Sequence, residues 1–297
     1  MISLSREKEV LTIGDALEWG THYLGKYGVL HSGVDCRFFL SDLLKTSVTK
    51  IHVMRDQILA RDLVLKYEEC LARRARHEPV AYILGEWEFM GRNFKVNTDV
   101  LIPRPETEML VEQSEKWIKK RKWTHPRILD LGTGSGCVGL SLGKIFELSE
   151  IVLADISPAA LKIARENAAQ LKVDSAVFIQ TNLFSSIGPD KKGYFDIIVS
   201  NPPYVSTADI PHLAEDLFFE PRLALEGGES GTEIIKGIIE ESQLYLRSDG
   251  ILMLEIGFDQ GDWARQKMLD EGFFNVEILK DLNGLDRIAI GENRGSI

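Results

Sequence analysis

The sequence predicts an α/β protein: a seven-stranded, mostly parallel sheet with helices on both faces, preceded by a small helical N-terminal domain and a β-hairpin linker. Three observations carry this. Apolar residues recur at helical spacing through residues 11–75. From about residue 106, short β-branched runs alternate with amphipathic segments, the pattern of parallel strands joined by crossover helices. Gly132-x-Gly134-x-Gly136 lies between the first of those strands and its helix, where such a sheet turns tightly. The expected division is residues 1–77 as the helical bundle, 78–105 as the linker and 106–297 as the larger domain.

Ile13, Ala16, Leu17 and Trp19 through Leu24 begin the helical region, and Phe38, Phe39, Leu40, Leu43 and Leu44 continue it. Leu63, Tyr67, Cys70 and Leu71 end it. Arg73-Arg74-x-Arg76 reads as a solvated helix end. Aromatic and apolar residues around Gly91 predict a short hairpin, with Trp87 and Phe89 as its packing residues. Pro103-Arg104-Pro105 stiffens the chain ahead of a helix starting near Glu106, and Arg104 is expected to pair with Glu106 or Glu108 and fix the helix start, with contact to a substrate loop as the alternative. Strands follow at Arg127–Leu131, Ile151–Asp155, Ala176–Gln180, Phe195–Ser200, Ile251–Ile256, Val276–Leu279 and Arg287–Ile290. Helices are expected at 106–120, 137–147, 158–171, 231–247 and 259–271. The short connection Lys280–Asp286 makes the last two strands an antiparallel hairpin at the sheet edge.

The 297 residues are 44% hydrophobic and 27% charged, as in an ordinary globular protein. No apolar run approaches the roughly 20 residues that span a bilayer, so no membrane contact is expected. Met1–Glu9 lacks the apolar core of a signal peptide. Cys36, Cys70 and Cys137 are far apart and odd in number, which suits a reducing cytoplasm. The six histidines share no ligand spacing, and no metal is expected. Residues 1–80 hold 12 Lys/Arg against 11 Asp/Glu; the remainder holds 23 against 34. That acidic larger half argues against a phosphate-binding surface and against direct nucleic-acid contact.

The glycine loop Gly132-Thr133-Gly134-Ser135-Gly136 can bring backbone close to a ligand. Asp155, closing the next strand, stands where a carboxylate accepts both ribose hydroxyls. Gly134-x-Gly136-x-x-Gly139 also satisfies the dinucleotide fingerprint. Asp130, two residues before the loop, would repel a pyrophosphate and suits a cationic ligand. With Asp130, the loop resembles the S-adenosylmethionine loop of class I methyltransferases.

Asn201-Pro202-Pro203-Tyr204 ends the fourth strand of the sheet, and ligands in open α/β sheets bind beyond the carboxyl ends of strands. A side-chain amide, a stiff turn with exposed carbonyls and an aromatic ring together form a receptor for a planar N–H₂ group. The Asn201 oxygen accepts one N–H and the Pro202 carbonyl another, raising electron density on a delocalised nitrogen and aiming it. Tyr204 can stack on the planar group. Catalysis would rest on positioning and electrostatics, without a strong base.

With these residues in place the chain resembles the release-factor glutamine methyltransferases. The likeness runs from Glu78-Pro79-x-x-Tyr82-Ile83-Leu84-Gly85 through Val100–Glu108, the Asp130 loop and Asn201–Val205. It continues through Glu220-Pro221, Gly227-Gly228, Gly231, Glu255-Ile256-Gly257 and Gln260-Gly261 to Asp286-Arg287. Pro103–Glu108 is the discriminating segment, since Asn-Pro-Pro-Tyr alone is shared with adenine methyltransferases. The resemblance implies a Rossmann-like methyltransferase sheet and methyl transfer from S-adenosylmethionine to the amide nitrogen of the glutamine in the Gly-Gly-Gln loop of peptide-chain release factors. It implies that Gly132–Gly136 and Asp155 hold the cofactor and that Asn201–Tyr204 hold the glutamine. Asn182-Leu183 occupies the adenine-facing place, with Leu183 where the family carries an aromatic, and Phe184 is expected in the core. The helical domain would dock the release factor, the enzyme acting as a monomer in the cytoplasm.

Two other readings compete: an adenine-N6 methyltransferase on DNA or RNA, using the same amide-gripping logic on a flipped base, and an NAD-dependent oxidoreductase, which leaves Asn-Pro-Pro-Tyr unexplained. A calorimetric titration separates the last from the others. The expected outcome is saturable binding of S-adenosylmethionine and none of NAD; the reverse would favour the oxidoreductase.

Overall fold

The computed structural model describes residues 11–295; Met1–Glu9, read above for a signal sequence, lies outside them. The chain divides into two compact units, one running to Glu86 and including Ala214–Phe219, the other comprising Trp87–Leu213 and the chain from Glu220 onward.

The first unit is helical: α1 (Ile13–Gly25), α2 (Ser32–Leu43), α3 (Val48–Val53), α4 (Arg61–Arg74) and α5 (Val80–Leu84). Thr12 and Asp15 form a reciprocal cap on α1. The Thr12 hydroxyl accepts the Asp15 N–H at 3.1 Å, and the Asp15 carboxylate accepts the Thr12 N–H at 3.0 Å, satisfying two donors that the helix start leaves over. Leu17, Phe39, Leu40, Ile51, Tyr67 and Leu71 meet in one buried cluster. Gly20 is the close-approach point, since a Cβ there would stand 2.2 Å from the Tyr67 hydroxyl. The arginines ending α4 are engaged rather than solvated. Arg74 bonds Asp35 at 2.7 Å and the carbonyls of His77 and Glu78, while Arg73 bonds Glu78 and the carbonyls of Tyr82 and Ile83. They tie the chain beyond α4 back onto the bundle.

The hairpin is β1 (Glu86–Phe89) and β2 (Arg92–Lys95). Met90 and Gly91 both have positive φ, the geometry whose twist matches a tight hairpin. Phe89 and Phe94 meet edge to face at 6.0 Å, both buried. A 3₁₀ turn, Pro105–Thr107, leads into α6 (Glu108–Arg121).

The sheet follows as β3 (Arg127–Leu131), α7 (Cys137–Ile145), β4 (Glu150–Asp155), α8 (Pro158–Leu171), β5 (Ala176–Gln180) and β6 (Phe195–Ser200). Short strands β7 (Val205–Ser206) and β8 (Glu226–Gly228) pair with each other. Then come α9 (Glu233–Tyr245), β9 (Leu246–Glu255), α10 (Gly261–Asp270), β10 (Phe274–Lys280) and β11 (Asp286–Glu292). The seven-stranded sheet has the order β10-β11-β9-β6-β3-β4-β5. The five strands from β9 to β5 are parallel; β11 and β10 run antiparallel at the edge, as the short connection between them predicts.

Side-chain alternation builds the two core layers. Ile128, Ile151, Leu153, Ile197, Val199 and Met253 face α6, α7 and α8. Leu129, Val152, Ile198, Leu252 and Leu254 face α9 and α10, meeting Ile235, Ile239 and Met268. Each fully buried Leu or Ile contributes about 1.5–3 kcal/mol relative to exposure. A one-residue slip would exchange the two faces, so the register is tightly specified.

β9 starts five residues before the sequence reading placed it, at Leu246 opposite Phe195. Polar Arg247-Ser248-Asp249 hides the strand pattern there. Its pairing partner carries a register shift between Phe195 and Ile197, and Asp249 takes positive φ.

Asn167, fully buried on α8, joins three segments that its sequence context does not reveal. Its amide oxygen accepts the Lys95 N–H at 2.7 Å; its nitrogen donates to the Lys95 carbonyl at 3.1 Å and the Ser135 carbonyl at 2.8 Å. Asn167→Ala strands those backbone groups, each worth about 1–3 kcal/mol when buried and unpaired. The expected outcome is a loss of roughly 2–4 kcal/mol by chemical denaturation; a loss below about 0.5 kcal/mol would remove this role.

Candidate active site

The strand order reverses at β3, which pairs with β4 on one edge and β6 on the other. Chains leaving the ends of β4 and β6 diverge there and open a crevice. The cavity found at those ends is lined by the glycine loop, Asp155, Asn182, Leu183 and Asn201–Pro203. Segments 99–104 and 221–224 complete its wall.

The loop is stitched to β4. The Gly132 and Thr133 N–H groups both donate to the Ala154 carbonyl, at 2.8 and 3.0 Å. Gly132, Gly134 and Gly136 take φ of 69°, 54° and 83°, a region that favours glycine. Asp130 braces the loop from below: its Oδ2 accepts the Thr133 hydroxyl at 2.7 Å and the Gly139 N–H at 2.9 Å. Burial pushes its carboxyl up to about 6. Asp130 thus lines the cavity and also holds the loop in shape.

Asp155 sits at the end of β4, its carboxyl raised by burial. One oxygen accepts the Gly134 N–H at 2.8 Å and the other the Ser157 N–H at 2.9 Å, so each retains acceptor capacity. At the end of β5 the Thr181 hydroxyl donates to the Leu183 carbonyl at 3.0 Å and accepts the Ser186 N–H at 2.9 Å. This turn holds Leu183 at φ 48° and sets Asn182 and Leu183 into the cavity wall. Phe184 is in the core, stacked on Tyr245 at 4.8 Å.

β6 is buried along its whole length and delivers Asn201 at its end. The Asn201 Nδ2 donates to the Thr107 hydroxyl at 3.0 Å, and that hydroxyl donates to Glu255 Oε2 at 2.7 Å. Glu255, 1% exposed, closes β9, and burial pushes its carboxyl up to about 7. The sequence reading placed Thr107 and Glu255 within recognisable segments but gave neither a task.

The Pro-Pro-Tyr turn is clamped from behind. Gln260 Nε2 donates to the Tyr204 and Gly231 carbonyls, at 3.2 and 3.1 Å, and its oxygen accepts the Gly257 N–H. A Cβ on Gly227 would lie 2.6 Å from the Pro203 carbonyl, and one on Gly231 2.4 Å from the Tyr204 carbonyl. Pro202 is buried and Pro203 half-buried at the cavity. Tyr204 is set apart from its neighbours: half-buried, it packs against the cluster beneath α9 and α10 and is not among the cavity-lining residues. Burial raises its hydroxyl to about 12.

Arg104 pairs with Glu220, not with Glu106 or Glu108. Glu220 is buried and also accepts the Ile102 N–H at 3.1 Å. Glu108 instead accepts the Met90 N–H at 2.6 Å, holding the hairpin turn. Local spacing favoured the near carboxylates, but Glu108 is taken up by the hairpin turn and Arg104 reaches a residue more than a hundred positions away.

The donor set discriminates between ligands. Among the described residues, the charged groups lining the cavity are Asp99, Asp130 and Asp155 with one cation, Arg104, already paired to Glu220. Three carboxylates disfavour a pyrophosphate and suit a ligand with hydroxyls for Asp155 and a positive centre. S-adenosylmethionine fits this set. Asp155 would hold the ribose, the glycine loop the amino-acid portion, and Asn182 with Leu183 the adenine.

Known proteins resemble this chain over most of its length. Residues 106–230 match the "Methyltransferase small domain" family model and residues 15–85 the "PrmC N-terminal domain". A release factor glutamine methyltransferase from Geobacter sulfurreducens is 34% identical over 290 residues, covering 97% of this chain and 99% of the relative. One from Neisseria gonorrhoeae is 44% identical over 221 residues, covering 74% and 78%. Among solved structures, the T. thermophilus 16S rRNA N2 G1207 methyltransferase in complex with AdoMet and guanosine superimposes with a TM-score of 0.51 at 16% identity, over 70% of this chain and 50% of that one; this likeness is one of fold. With near full-length similarity to such relatives, the chain belongs to the release factor glutamine methyltransferase family.

Proposed function

We propose that this protein transfers a methyl group from S-adenosylmethionine to the side-chain amide nitrogen of the glutamine in the Gly-Gly-Gln motif of peptide-chain release factors. The observation that carries the reading is the Asn201 amide, its nitrogen bound to Thr107 and its oxygen left as an acceptor beside an acid-lined glycine-loop cavity. Names borne by relatives covering almost the whole chain support the same activity.

S-adenosylmethionine supplies an electrophilic sulfonium methyl. Gly132–Gly136, with Asp130 beneath them, and Asp155 hold it, and Asn182 and Leu183 flank its base. Asn201 Oδ1 accepts one N–H of the substrate amide and the Pro202 carbonyl the other. Both acceptors draw the amide lone pair toward nitrogen and fix its direction, so the gain is one of orientation and charge stabilisation. No general base is required, because the nitrogen becomes acidic as it gains a carbon and releases its proton to water. Pro203 keeps the turn stiff. Tyr204 supports the turn through its packing; stacking on the substrate would require its ring to enter a cavity it does not line.

The first unit docks the release factor, since the crevice alone grips one side chain. The enzyme works as a monomer in the cytoplasm, where release factors act. No helix among the described residues is long and apolar enough to cross a membrane. The acidic balance beyond residue 80 opposes the adenine-N6 alternative.

Incubation with labelled S-adenosylmethionine and purified release factor should place the label on the Gly-Gly-Gln glutamine; a cofactor-bound enzyme that leaves it unlabelled would sink the reading. Asn201→Ala should retain cofactor affinity within about threefold and lower kcat by roughly a hundredfold. Unchanged turnover would remove Asn201 from the mechanism. Asp155→Ala should weaken S-adenosylmethionine binding by about 10- to 100-fold, the loss of one or two charge-assisted hydrogen bonds; affinity equal to wild type would show that the ribose lies elsewhere.

A further inference from the structure

We propose that Thr107 and Glu255 are positioning residues: they lock the Asn201 amide with its oxygen toward the crevice and its nitrogen turned away. The proposal rests on the reading of Asn201 as acceptor of a substrate N–H. The two ends of an asparagine amide are nearly identical in shape but opposite in hydrogen-bonding sense. A half-turn about the last side-chain bond would replace the oxygen by an N–H₂ group. That group would face the substrate's own N–H₂, with donors on both sides and no acceptor. Steric fit does not select between the two orientations, so hydrogen-bond polarity must.

The relay supplies that polarity. Glu255, when ionised, accepts only. The single Thr107 hydroxyl proton therefore goes to Glu255, at 2.7 Å. Thr107 then has only lone pairs for Asn201, which must present its nitrogen, at 3.0 Å. Thr107 and Glu255 are 2% and 1% exposed, and the bond between them is buried, so water does not compete for the hydroxyl proton. The three residues come from different places: the 3₁₀ turn before α6, the end of β6 and the end of β9. β6 and β9 are adjacent, Ser200 lying opposite Leu254, so the relay crosses neighbouring strand ends. A carboxylate buried at this point carries a desolvation penalty that packing alone does not call for.

The relay also has a reversed form. Protonated Glu255 can donate to Thr107, whose hydroxyl then donates to the Asn201 oxygen and turns the nitrogen toward the crevice. The charged and titratable groups facing Glu255 are Arg287, Glu106 and Arg104, together with Cys137 and Tyr204. Burial has raised Glu255 to about 7, so reversal falls near neutrality. Activity is present above that pH and lost as pH falls through it. Asp130, raised to about 6, is the other carboxyl in the site that titrates nearby.

The test uses the full chain with S-adenosylmethionine and purified release factor, comparing wild type with Thr107→Val, Thr107→Ser and Glu255→Gln. Thr107→Val keeps the side-chain shape and removes the hydroxyl; it should lower kcat by 10- to 100-fold with cofactor affinity unchanged. Thr107→Ser should recover kcat to within about threefold. Glu255→Gln should abolish the acidic limb of the kcat profile, whereas a limb arising from Asp130 would survive it. A second readout needs no substrate: the side-chain amide resonances of Asn201 in ¹⁵N-labelled protein should shift with pH in wild type and stay fixed in Glu255→Gln. Wild-type kcat in Thr107→Val, an acidic limb that persists in Glu255→Gln, or an Asn201 resonance that does not respond to pH would each overturn the proposal. Absence of glutamine methylation by wild type would instead strike the functional reading, with the resonance titration still deciding the orientation of Asn201.

Discussion

β3 pairs with β4 along one edge and with β6 along the other, all three parallel, and this arrangement governs the rest of the larger unit. Parallel neighbours end on the same side, and chains leaving an order reversal must part. A gap therefore exists at those ends whatever side chains fill it. The glycine loop leaves β3, Asp155 ends β4 and Asn201 follows β6, so the three candidate groups share one opening. The two-layer core of alternating aliphatic residues fixes the strand ends relative to one another. The site inherits its precision from that packing more than from its loops.

Much of this was legible in the sequence. Strands such as Arg127–Leu131, Ala176–Gln180 and Phe195–Ser200 are short, β-branched runs bounded by turn residues, and they occur as read. The glycine loop, Asp155 and Asn201 were visible because each obeys a local rule about strand ends. The antiparallel edge followed from one short connection. β9 was read too short because its first residues are polar and paired through an irregular register.

Contacts across long separations were not legible. Arg104 reaches Glu220, Thr107 reaches Glu255, and Asn167 reaches both Lys95 and Ser135. Each pairing is decided by which polar groups burial leaves without a nearer partner, a property of the fold as a whole. Tyr204 illustrates the converse. An aromatic next to a candidate asparagine suggests a stacking surface; its half-buried ring also packs on the cluster beneath α9 and α10, which sequence alone does not reveal.

Gly227 and Gly231 press against the back of the Pro-Pro-Tyr turn with no room for a methyl group. The turn rests on backbone atoms there, which cannot yield as a flexible side chain can. Pro221, Leu223 and Ala224, which also line the cavity, present side chains that a substitution can shorten. The cavity is therefore easier to enlarge through those side chains than through the turn.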